Sequence, residues 1–367
     1  MVSRRDEWKA IVLGMPRPDF RQSWQWGATR ASRGWTVVRI AVSATEEAAA
    51  AQVFARRVPG LGVLLYAPRG PLVAAGDRGV DALPPLVRRI RAETGGIGLR
   101  ASPGVPFEDA AALAPLRACG FTALPDLWSL WNTPRNVMRL DLAGSERDLL
   151  SRMARKRRQH VSTAGRKGLT TEVATSLTAL RTFHALHRDH GQRERYPVPP
   201  WPALEALHRE FAVDDGLVIV SGRVHGQLAG MLVGLRFGPG AHTLYAASTD
   251  AARRLPVGDL LHWELIRWAR ERGCRELDLG SSCTDLPPTA THPNYGIYRF
   301  KYELGARLTL SAGYHDYVFA GLRYRLARLL ERRALRVSYH VLARLPRTIL
   351  AGRNRVATPT VPMPLPS

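Results

Sequence analysis

Residues Leu244–Gly305 read LYAASTDAARRLPVGDLLHWELIRWARERGCRELDLGSSCTDLPPTATHPNYGIYRFKYELG. A short apolar run that ends at Tyr245 predicts a strand, and a polar, basic loop follows it. The next segment has the apolar periodicity of an amphipathic helix, and Glu276–Leu279 then predicts a second short strand. A loop rich in glycine, serine and proline closes on Phe300 and Lys301. This order of elements predicts a cleft at the strand ends, with one lysine directed at it.

The overall charge indicates the class of partner. The chain has 367 residues, 53 of them basic and 31 acidic, which gives a formal net charge of +22. A charge this far from zero favours polyanionic partners such as tRNA, DNA, an anionic membrane face or phosphorylated substrates. An alternative cause is a genome rich in G and C, which enriches arginine throughout a chain.

The cysteines and the lengths of the apolar runs exclude several classes of protein and of metal site. The cysteines Cys119, Cys274 and Cys283 are odd in number and form no CxxC pair, which excludes a disulfide framework and a thiolate zinc site. The first residues lack the apolar core of a secretory leader, so we expect no signal peptide. The longest apolar runs, such as Leu61–Ala67 and Leu228–Leu235, are far shorter than the ~18 residues that cross a bilayer.

Helices and strands alternate in two similar passes along the chain, which predicts an α+β fold of two domains. In the first pass we predict a helix at Ser23–Arg33, a strand at Trp35–Val42 and an alanine-rich helix at Thr45–Arg56. The second pass opens with a strand at Asn136–Leu142. His225-Gly226 separates two further strands of this pass and predicts a tight hairpin.

A strongly basic segment follows the first strand of the second pass. We predict one helix at Glu146–Lys167, with Ser145 as its N-cap and Gly168 just beyond its end. A helix places Arg155 and Arg158 on one face, where they would hold phosphates. The alternative is a solvated face whose arginines pair with acids.

Three histidines, His184, His187 and His190, recur at steps of three and invite a zinc interpretation. On a helix such steps drift around the axis and do not converge on one ion as i, i+4 pairs do. We therefore predict no metal site.

Lys301 lies in the aromatic segment GIYRFKYELG, which we interpret as a strand. Alternation would then place Tyr298 and Phe300 on one face and Arg299 and Lys301 on the other. A cation fixed beside a cleft binds a phosphate or stabilises a developing oxyanion. An exposed strand lysine is the alternative.

The carboxylates that could accept a proton are Asp259, Glu264, Asp278 and Glu303. An alkyl amine with a pKa near 10.4 must lose a proton before it attacks, at a cost of roughly 4.6 kcal/mol at pH 7. Asp278 ends a predicted strand where the chain enters a glycine loop. Its role is either catalytic or structural, since an aspartate also caps a loop through the backbone.

The segment Arg253–Asp259 lies where GNAT acyltransferases have a basic residue followed by a tight glycine turn, whose backbone amides hold the pyrophosphate of acetyl-CoA. Here Arg253 and Arg254 precede Pro256, and one glycine follows. Proline removes an amide donor, which argues against binding of CoA at this loop.

The chain resembles the Fem aminoacyltransferases, which use aminoacyl-tRNA to build peptide bridges on peptidoglycan precursors. The segments that carry the resemblance are QSWQWG (Gln22–Gly27), LLYAPRGPL (Leu64–Leu72), the basic run LDLAGSERDLLSRMARKRRQHVSTAGRKGL (Leu140–Leu169), the opening stretch through ELDLG, and GIYRFKYELGA.

The resemblance implies two GNAT-like domains with mixed sheets flanked by helices. The first would comprise 1–140, completed by C-terminal helices at about 313–347. The second would comprise 141–312 and carry the catalytic cleft, and 348–367 would be a disordered tail. The last helices carry arginines and recurrent leucines, so they either pack on the first domain or lie on an anionic membrane.

The resemblance also implies the reaction and the residues that serve it. An amino acid would pass from aminoacyl-tRNA to the stem-peptide amine of a lipid- or UDP-linked muropeptide, with no metal and no cofactor besides the tRNA co-substrate. Lys301 would stabilise anionic charge. Asp278 is the second predicted catalytic residue, on the ground of its position at the end of ELDLG and not of the resemblance. Substrate-binding residues would be Arg30, Tyr245, Arg253, Arg254, Phe300, Arg155 and Arg158. Arg30 replaces the lysine with which relatives contact the nucleotide-linked substrate.

These expectations place the protein in the cytoplasm, at the inner face of the plasma membrane, with no stable DNA binding. Two alternatives remain at this level. One is an N-acyltransferase that uses acyl-CoA to modify an envelope polysaccharide or lipid. The other is a non-catalytic nucleic-acid-binding protein, which the charge alone favours.

Overall fold

The computed structural model describes residues 1–43, 47–74, 77–124, 133–282, 288–292 and 294–344. Side chains at 43, 47–48, 254 and 334–344 lie outside the described part of the chain, as do Cys283 and the predicted tail at 348–367. The chain divides into two compact units. The first contains Met1–Arg135 and the segment that begins at Leu310, and the second contains Asn136–Thr309.

Helices and strands alternate in both units. In chain order, the helices are α1 (Arg5–Gly14), α2 (Trp24–Ala31), α3 (Asp77–Thr94), α4 (Ala110–Cys119), α5 (Glu146–Arg152), α6 (Arg155–Thr163), α7 (Leu177–Glu194), α8 (Trp201–Phe211), α9 (Val257–Glu271), α10 (Tyr295–Glu303) and α11 (Gly321–Arg344). The strands are β1 (Thr36–Ser43), β2 (Glu47–Val58), β3 (Gly62–Arg69), β4 (Leu72–Val73), β5 (Gly96–Pro103), β6 (Thr122–Ala123), β7 (Asn136–Asp141), β8 (Leu169–Ala174), β9 (Leu217–Val224), β10 (Gln227–Phe237), β11 (Gly240–Ser248), β12 (Glu276–Asp278), β13 (Arg307–Leu310) and β14 (His315–Val318).

The first unit is built on a mixed sheet of order β1-β2-β3-β5-β14-β6, with β4 paired to β2. Leu83, Leu86 and Ile90 recur along α3 at helical spacing and are fully buried in the core of this unit. Strand β14 pairs antiparallel with both β5 and β6, so the late segment of the chain completes the early sheet.

The alanine-rich helix predicted at Thr45–Arg56 is wrong, because this segment contributes to strand β2. Residues 49–55 pair antiparallel with β1. Ala49, Ala50, Ala51 and Val53 are all fully buried. A strand covered on both faces has a continuous apolar run in its sequence, and alternation does not distinguish such a run from a buried helix.

The second unit has a sheet of order β13-β7-β12-β11-β10-β9-β8. Helix α9 packs closely on β10, where a Cβ at Gly234 would lie 2.5 Å from Leu265 Cδ1. The predicted hairpin between β9 and β10 is confirmed, and both His225 and Gly226 have positive φ. Both units therefore combine helices with a mixed sheet, which confirms the predicted α+β class.

The single helix predicted at Glu146–Lys167 is wrong, because it is broken between α5 and α6. Met153 has extended backbone and lies buried in the core of the second unit. The Ala154 amide donates to the Glu303 carbonyl at 2.8 Å, which fixes the break. The predicted cap at Ser145 is confirmed, since its hydroxyl accepts from the Asp148 amide.

The strand predicted around Lys301 is also wrong, because Tyr295–Glu303 forms helix α10. Helical backbone places Tyr298 and Tyr302 one turn apart, and their rings stack at 5.8 Å. Aromatic residues favour strands, but here the segment packs as a helix against α9 through Phe300.

Candidate active site

The sheet of the second unit opens between β11 and β12. Parallel pairing joins Gly240–His242 to Glu276–Asp278. Strand β11 continues to Ser248, whereas β12 ends at Asp278. The register between β10 and β11 also shifts at Leu244, which forms a bulge. The short pairing and the bulge together leave a gap in the sheet beyond the end of β12.

Lys301 lies at this gap. Its Nζ donates to the Ser281 carbonyl at 2.6 Å, and a Cβ at Gly280 would lie 3.7 Å from the same atom. Burial lowers the pKa of Lys301 to about 8, and the negative charge of Asp278 partly offsets that effect. The group is therefore still largely cationic at pH 7, although its proton is held less firmly than that of a free lysine.

Asp278 lies next to this lysine and is 4% exposed. Its Oδ1 accepts from the Gly280 amide at 2.7 Å, and its Oδ2 is 3.8 Å from His242 Nδ1. The structural role that the sequence leaves open is therefore present, because this carboxylate fixes the turn that carries the Ser281 carbonyl. The same position keeps the carboxylate close to the charge of Lys301.

An ionic cluster joins α6, α9 and α10; we call its members Arg157, His160, Asp259 and Glu303 the Arg157 cluster. Arg157 Nη1 is 3.0 Å from Asp259 Oδ1, and its Nη2 is 2.8 Å from Glu303 Oε2. His160 Nδ1 contacts Asp259 Oδ2 at 2.5 Å. The Asp259 side chain is fully buried. The cluster thus links the helix that carries Lys301 to the other two.

Phe300 extends this link through its ring. The ring lies 5.2 Å from the His262 ring in an edge-to-face arrangement, and the Arg157 guanidinium is 4.8 Å from its centroid. Burial lowers the pKa of His262 to about 4, so this histidine is neutral at pH 7. Its Nδ1 donates to the Gly258 carbonyl at 2.7 Å. Phe300 therefore anchors α10 against α9.

Sequence reasoning misses Arg157, His160 and His262 as members of this site. Arg157 is one of several arginines in a basic run, and nothing in the run distinguishes it. A signal is available for His160 and His262, since each is the single histidine of a helix that borders the site.

Two predicted phosphate-binding arginines differ in their surroundings. Arg158 Nη1 donates to the carbonyls of Leu150, Ser151 and Met153 at 3.3–3.4 Å, so it caps the end of α5. Arg155 is exposed on α6, and its predicted contact with phosphate stays a prediction.

The other predicted binding residues are spread more widely. Arg253 pairs with Glu194 and is 62% exposed, and the side chain of Arg254 is outside the described part of the chain. The Tyr245 ring packs 5.4 Å from that of His187, on the side of β11 that contacts α7. In the first unit, the Arg30 guanidinium lies 4.8 Å from the Trp35 ring. Within the second unit, Arg253 and Tyr245 thus each contact a residue of α7.

A cavity of about 540 Å³ opens on another side of α10. Arg152, Tyr302, Glu303 and Arg307 are among its lining residues, and Lys301 is not. Its size suits a small ligand. Glu303 lies in both this lining and the Arg157 cluster, so the cavity and the cluster share one wall.

Comparison with known proteins shows which families have a similar sequence and fold. A family model described as an acetyltransferase (GNAT) domain matches residues 150–301. A Lipid II:glycine glycyltransferase of Staphylococcus saprophyticus is 24% identical, over 86% of this chain and 92% of its own length. One from Staphylococcus aureus (strain USA300) is 23% identical, over 93% and 98%. The crystal structure of FemX superposes with a TM-score of 0.80 at 20% identity, covering 89% of this chain and 98% of FemX.

The chain is therefore similar to Fem proteins over most of its length, and residues 150–301 match a GNAT domain. The FemX superposition confirms the predicted fold of two GNAT-like domains. The relatives named glycyltransferases confirm the predicted enzyme class, an aminoacyltransferase.

The buried side chain of His262 in this site predicts a loss of stability in mild acid. The pKa of His262 is lowered to about 4, so the unfolded chain binds a proton near pH 6.5 that the folded chain does not. Stability should fall by on the order of 2–3 kcal/mol between pH 6.5 and 4. Denaturant melts across this range should show the slope, and His262→Gln should reduce it.

Replacement of the exposed His225 by asparagine is the matched control and should retain the wild-type slope. His187 is also buried, with its pKa lowered to about 4, so its own contribution should persist in His262→Gln. An unchanged slope in His262→Gln would contradict the neutral, buried state of that ring.

Proposed function

We propose that this protein transfers an amino acid from aminoacyl-tRNA to the stem-peptide amine of a lipid- or UDP-linked peptidoglycan precursor. The staphylococcal relatives support the reaction class, because they are named glycyltransferases of lipid II and match over most of both chains. We further propose that the reaction takes place in the cytoplasm, at the inner face of the plasma membrane.

The observation that carries this proposal is the position of Lys301 at the gap between β11 and β12. Attack of an amine on the ester of an aminoacyl-tRNA forms a tetrahedral oxyanion. A cation held in a partly dehydrated site stabilises that charge more strongly than one in bulk water. The intermediate then breaks the ester bond, and the terminal ribose hydroxyl of the tRNA leaves.

The amine must also lose a proton as the peptide bond forms. We assign Asp278 as the acceptor, since its carboxylate is buried beside Lys301. The leaving ribose oxygen gains a proton, which the ammonium of Lys301 can supply because its pKa is only about 8. The ester is already activated, so the proposed reaction needs no metal and no cofactor beyond the tRNA.

The start of α9 favours tRNA over acyl-CoA as the donor. In acyl-CoA enzymes of the GNAT type, backbone amides at a helix start hold a pyrophosphate. Here Pro256 is the N-cap, and the buried carboxylate of Asp259 occupies the first turn. Proline has no amide hydrogen, so this helix start offers a pyrophosphate one donor fewer. The net charge of +22 suits the phosphate backbone of tRNA.

A transfer assay tests the proposal directly. Purified protein, tRNA charged with radiolabelled amino acids and a lipid- or UDP-linked muropeptide should give a labelled, extended stem peptide. A precursor whose stem amine has been acetylated is the matched control and should stay unlabelled. Calorimetric titration with acetyl-CoA should give no saturable binding. Transfer from an acyl-CoA, with none from any aminoacyl-tRNA, would overturn the proposal.

A further inference from the structure

Helix α11 is fixed to the first unit along one face. Tyr324, Ala327, Arg328 and Glu331 recur at three- to four-residue spacing and are at most 9% exposed. Glu331 Oε1 lies 2.7 Å from the guanidinium of Arg100, which anchors the helix to β5. This face is therefore packed and paired in the folded protein.

The opposite side of the same helix exposes apolar side chains. Leu322 is 75% exposed, Leu326 43%, Leu329 46% and Leu330 49%. Their spacing of four, three and one residues places them on one stripe of an α-helix. We call these four residues the leucine stripe. Four exposed leucines on one helix are more than the isolated apolar residues that any protein surface shows.

Basic residues accompany the leucine stripe. Arg323, Arg325, Arg332 and Arg333 are all exposed. The sequence 321–333 contains one acid, Glu331, and it is buried in ion pairs. The exposed part of this helix is therefore both apolar and positively charged.

We propose that the leucine stripe and its flanking arginines dock on the surface of an anionic lipid bilayer. An amphipathic helix of this kind lies in the interface, with leucines in the acyl boundary and arginines at the headgroups. Charge decides between a bilayer and a second copy of this chain. Two copies that met through this face would bring their arginines together, whereas anionic lipids supply the opposite charge.

The proposal concerns attachment at a surface and not insertion across a membrane. Among the described residues, no helix has both the length and the apolarity needed to cross a bilayer. The inference goes beyond the proposed reaction, since binding to vesicles is measured without donor or acceptor. Its failure and a failure of aminoacyl transfer are therefore distinguishable.

Vesicle flotation of the full-length protein tests the proposal. Wild type should bind phosphatidylcholine vesicles that contain a quarter phosphatidylglycerol at least tenfold more tightly than pure phosphatidylcholine vesicles. The double variant Leu326→Gln/Leu330→Gln keeps every charge and should bind the anionic vesicles at least tenfold more weakly. Leu13→Gln/Val213→Gln removes two exposed apolar side chains elsewhere and should bind as wild type does.

A second pair of variants isolates the arginines. Removal of one membrane-facing arginine lowers binding by roughly fivefold, so Arg323→Gln/Arg325→Gln should lose more than tenfold. Arg88→Gln/Arg89→Gln makes the same change in net charge on exposed positions of α3 and should lose much less. Equal losses in the two pairs would mean general attraction by the +22 charge and would overturn the proposal.

Three further outcomes would also overturn it. One is unchanged vesicle binding in Leu326→Gln/Leu330→Gln. Another is a wild-type dimer that this variant converts to a monomer in sedimentation, which would assign the leucine stripe to a second copy. The third is a large loss of thermal stability in the variant, which would assign the stripe to packing within the chain. Transfer to a UDP-linked precursor should be unaffected by the variant.

Discussion

Replacing Lys301 with methionine should lower the rate constant of aminoacyl transfer by about 10²–10³-fold, the usual cost of removing one oxyanion-stabilising donor. Methionine resembles the lysine side chain in length and in its apolar stem. It lacks the ammonium group that donates to the Ser281 carbonyl. Single-turnover transfer from charged tRNA, with enzyme in excess, measures the step. Affinity for the muropeptide should change little, because the charge acts mainly in the transition state.

The matched control for this variant is Arg299→Met, two residues earlier on α10. Arg299 is 62% exposed and pairs with Glu303 at 3.4 Å, so its removal takes one cation from the same helix without touching the gap. We expect a change in rate of less than threefold. Equal losses in Arg299→Met and Lys301→Met would mean that helix α10 is merely sensitive to charge, and Lys301 would lose its assigned role.

The pH dependence separates two roles for Lys301. Burial lowers its pKa to about 8, so the cation is present below pH 8 and is lost as pH rises through that value. If the cation stabilises charge, the ratio of wild-type to Lys301→Met rates should fall above pH 8. If the neutral amine acts as a base, that ratio should rise instead. The ratio cancels ionisation of the acceptor amine and spontaneous hydrolysis of the ester.

Replacing Arg100 with methionine should destabilise the protein by about 3–5 kcal/mol, since it leaves buried carboxylates without their partner. Arg100 donates to both oxygens of Asp316 at 2.8 and 2.9 Å and to Glu331 at 2.7 Å. All three residues are at most 5% exposed. Denaturant melts that follow the first unit should show the loss.

Arg17→Met is the matched control for Arg100→Met. Arg17 pairs with Asp109 at 3.0 Å in the same unit, but both side chains are about a third exposed or more. Water screens such a pair, so the loss should be much smaller. Comparable losses in the two variants would contradict the assignment of the Arg100 network as a buried anchor.

Acid should weaken the same network. Burial alone would raise the pKa of Glu331, but the charges of Arg100 and Arg328 and their hydrogen bonds outweigh it and lower the pKa. Ionised Glu331 therefore contributes fully to the stability of the fold above about pH 4.3, its pKa in the unfolded chain. This contribution is lost as the pH falls toward the lower pKa of the folded state. In Arg100→Met this part of the acid sensitivity should shrink.

Local sequence signals are sufficient for much of the architecture. The cap at Ser145, the hairpin at His225-Gly226 and the strand–helix–strand order around α9 all follow from short-range patterns, and the structure confirms them. The sequence also predicts a cleft at the strand ends with Lys301 directed at it; Lys301 Nζ contacts the Ser281 carbonyl just after β12, and its role in catalysis stays a prediction.

The errors arise where tertiary packing overrides local preference. Ala49–Ala51 forms a strand because both faces are covered, and α10 is helical because Phe300 packs on α9. Likewise Met153 breaks the basic helix in order to reach the core.

The members of the ionic networks are distant in sequence. Arg157 meets Asp259 and Glu303 at separations of 102 and 146 residues, and Arg100 meets Glu331 at a separation of 231. A pattern within one sequence carries no signal of such pairs. For the same reason, the sequence does not separate the arginines of the basic run into those that cap a helix and those that join helices.

The position of β14 has a consequence for the order in which the protein acquires its structure during synthesis. Strand β14 lies between β5 and β6, although the whole second unit separates it from them in the chain. A ribosome therefore releases β5 and β6 long before their shared neighbour exists. The first unit must wait in an incomplete state while the second folds, and we expect chaperones to hold it until His315–Val318 emerges.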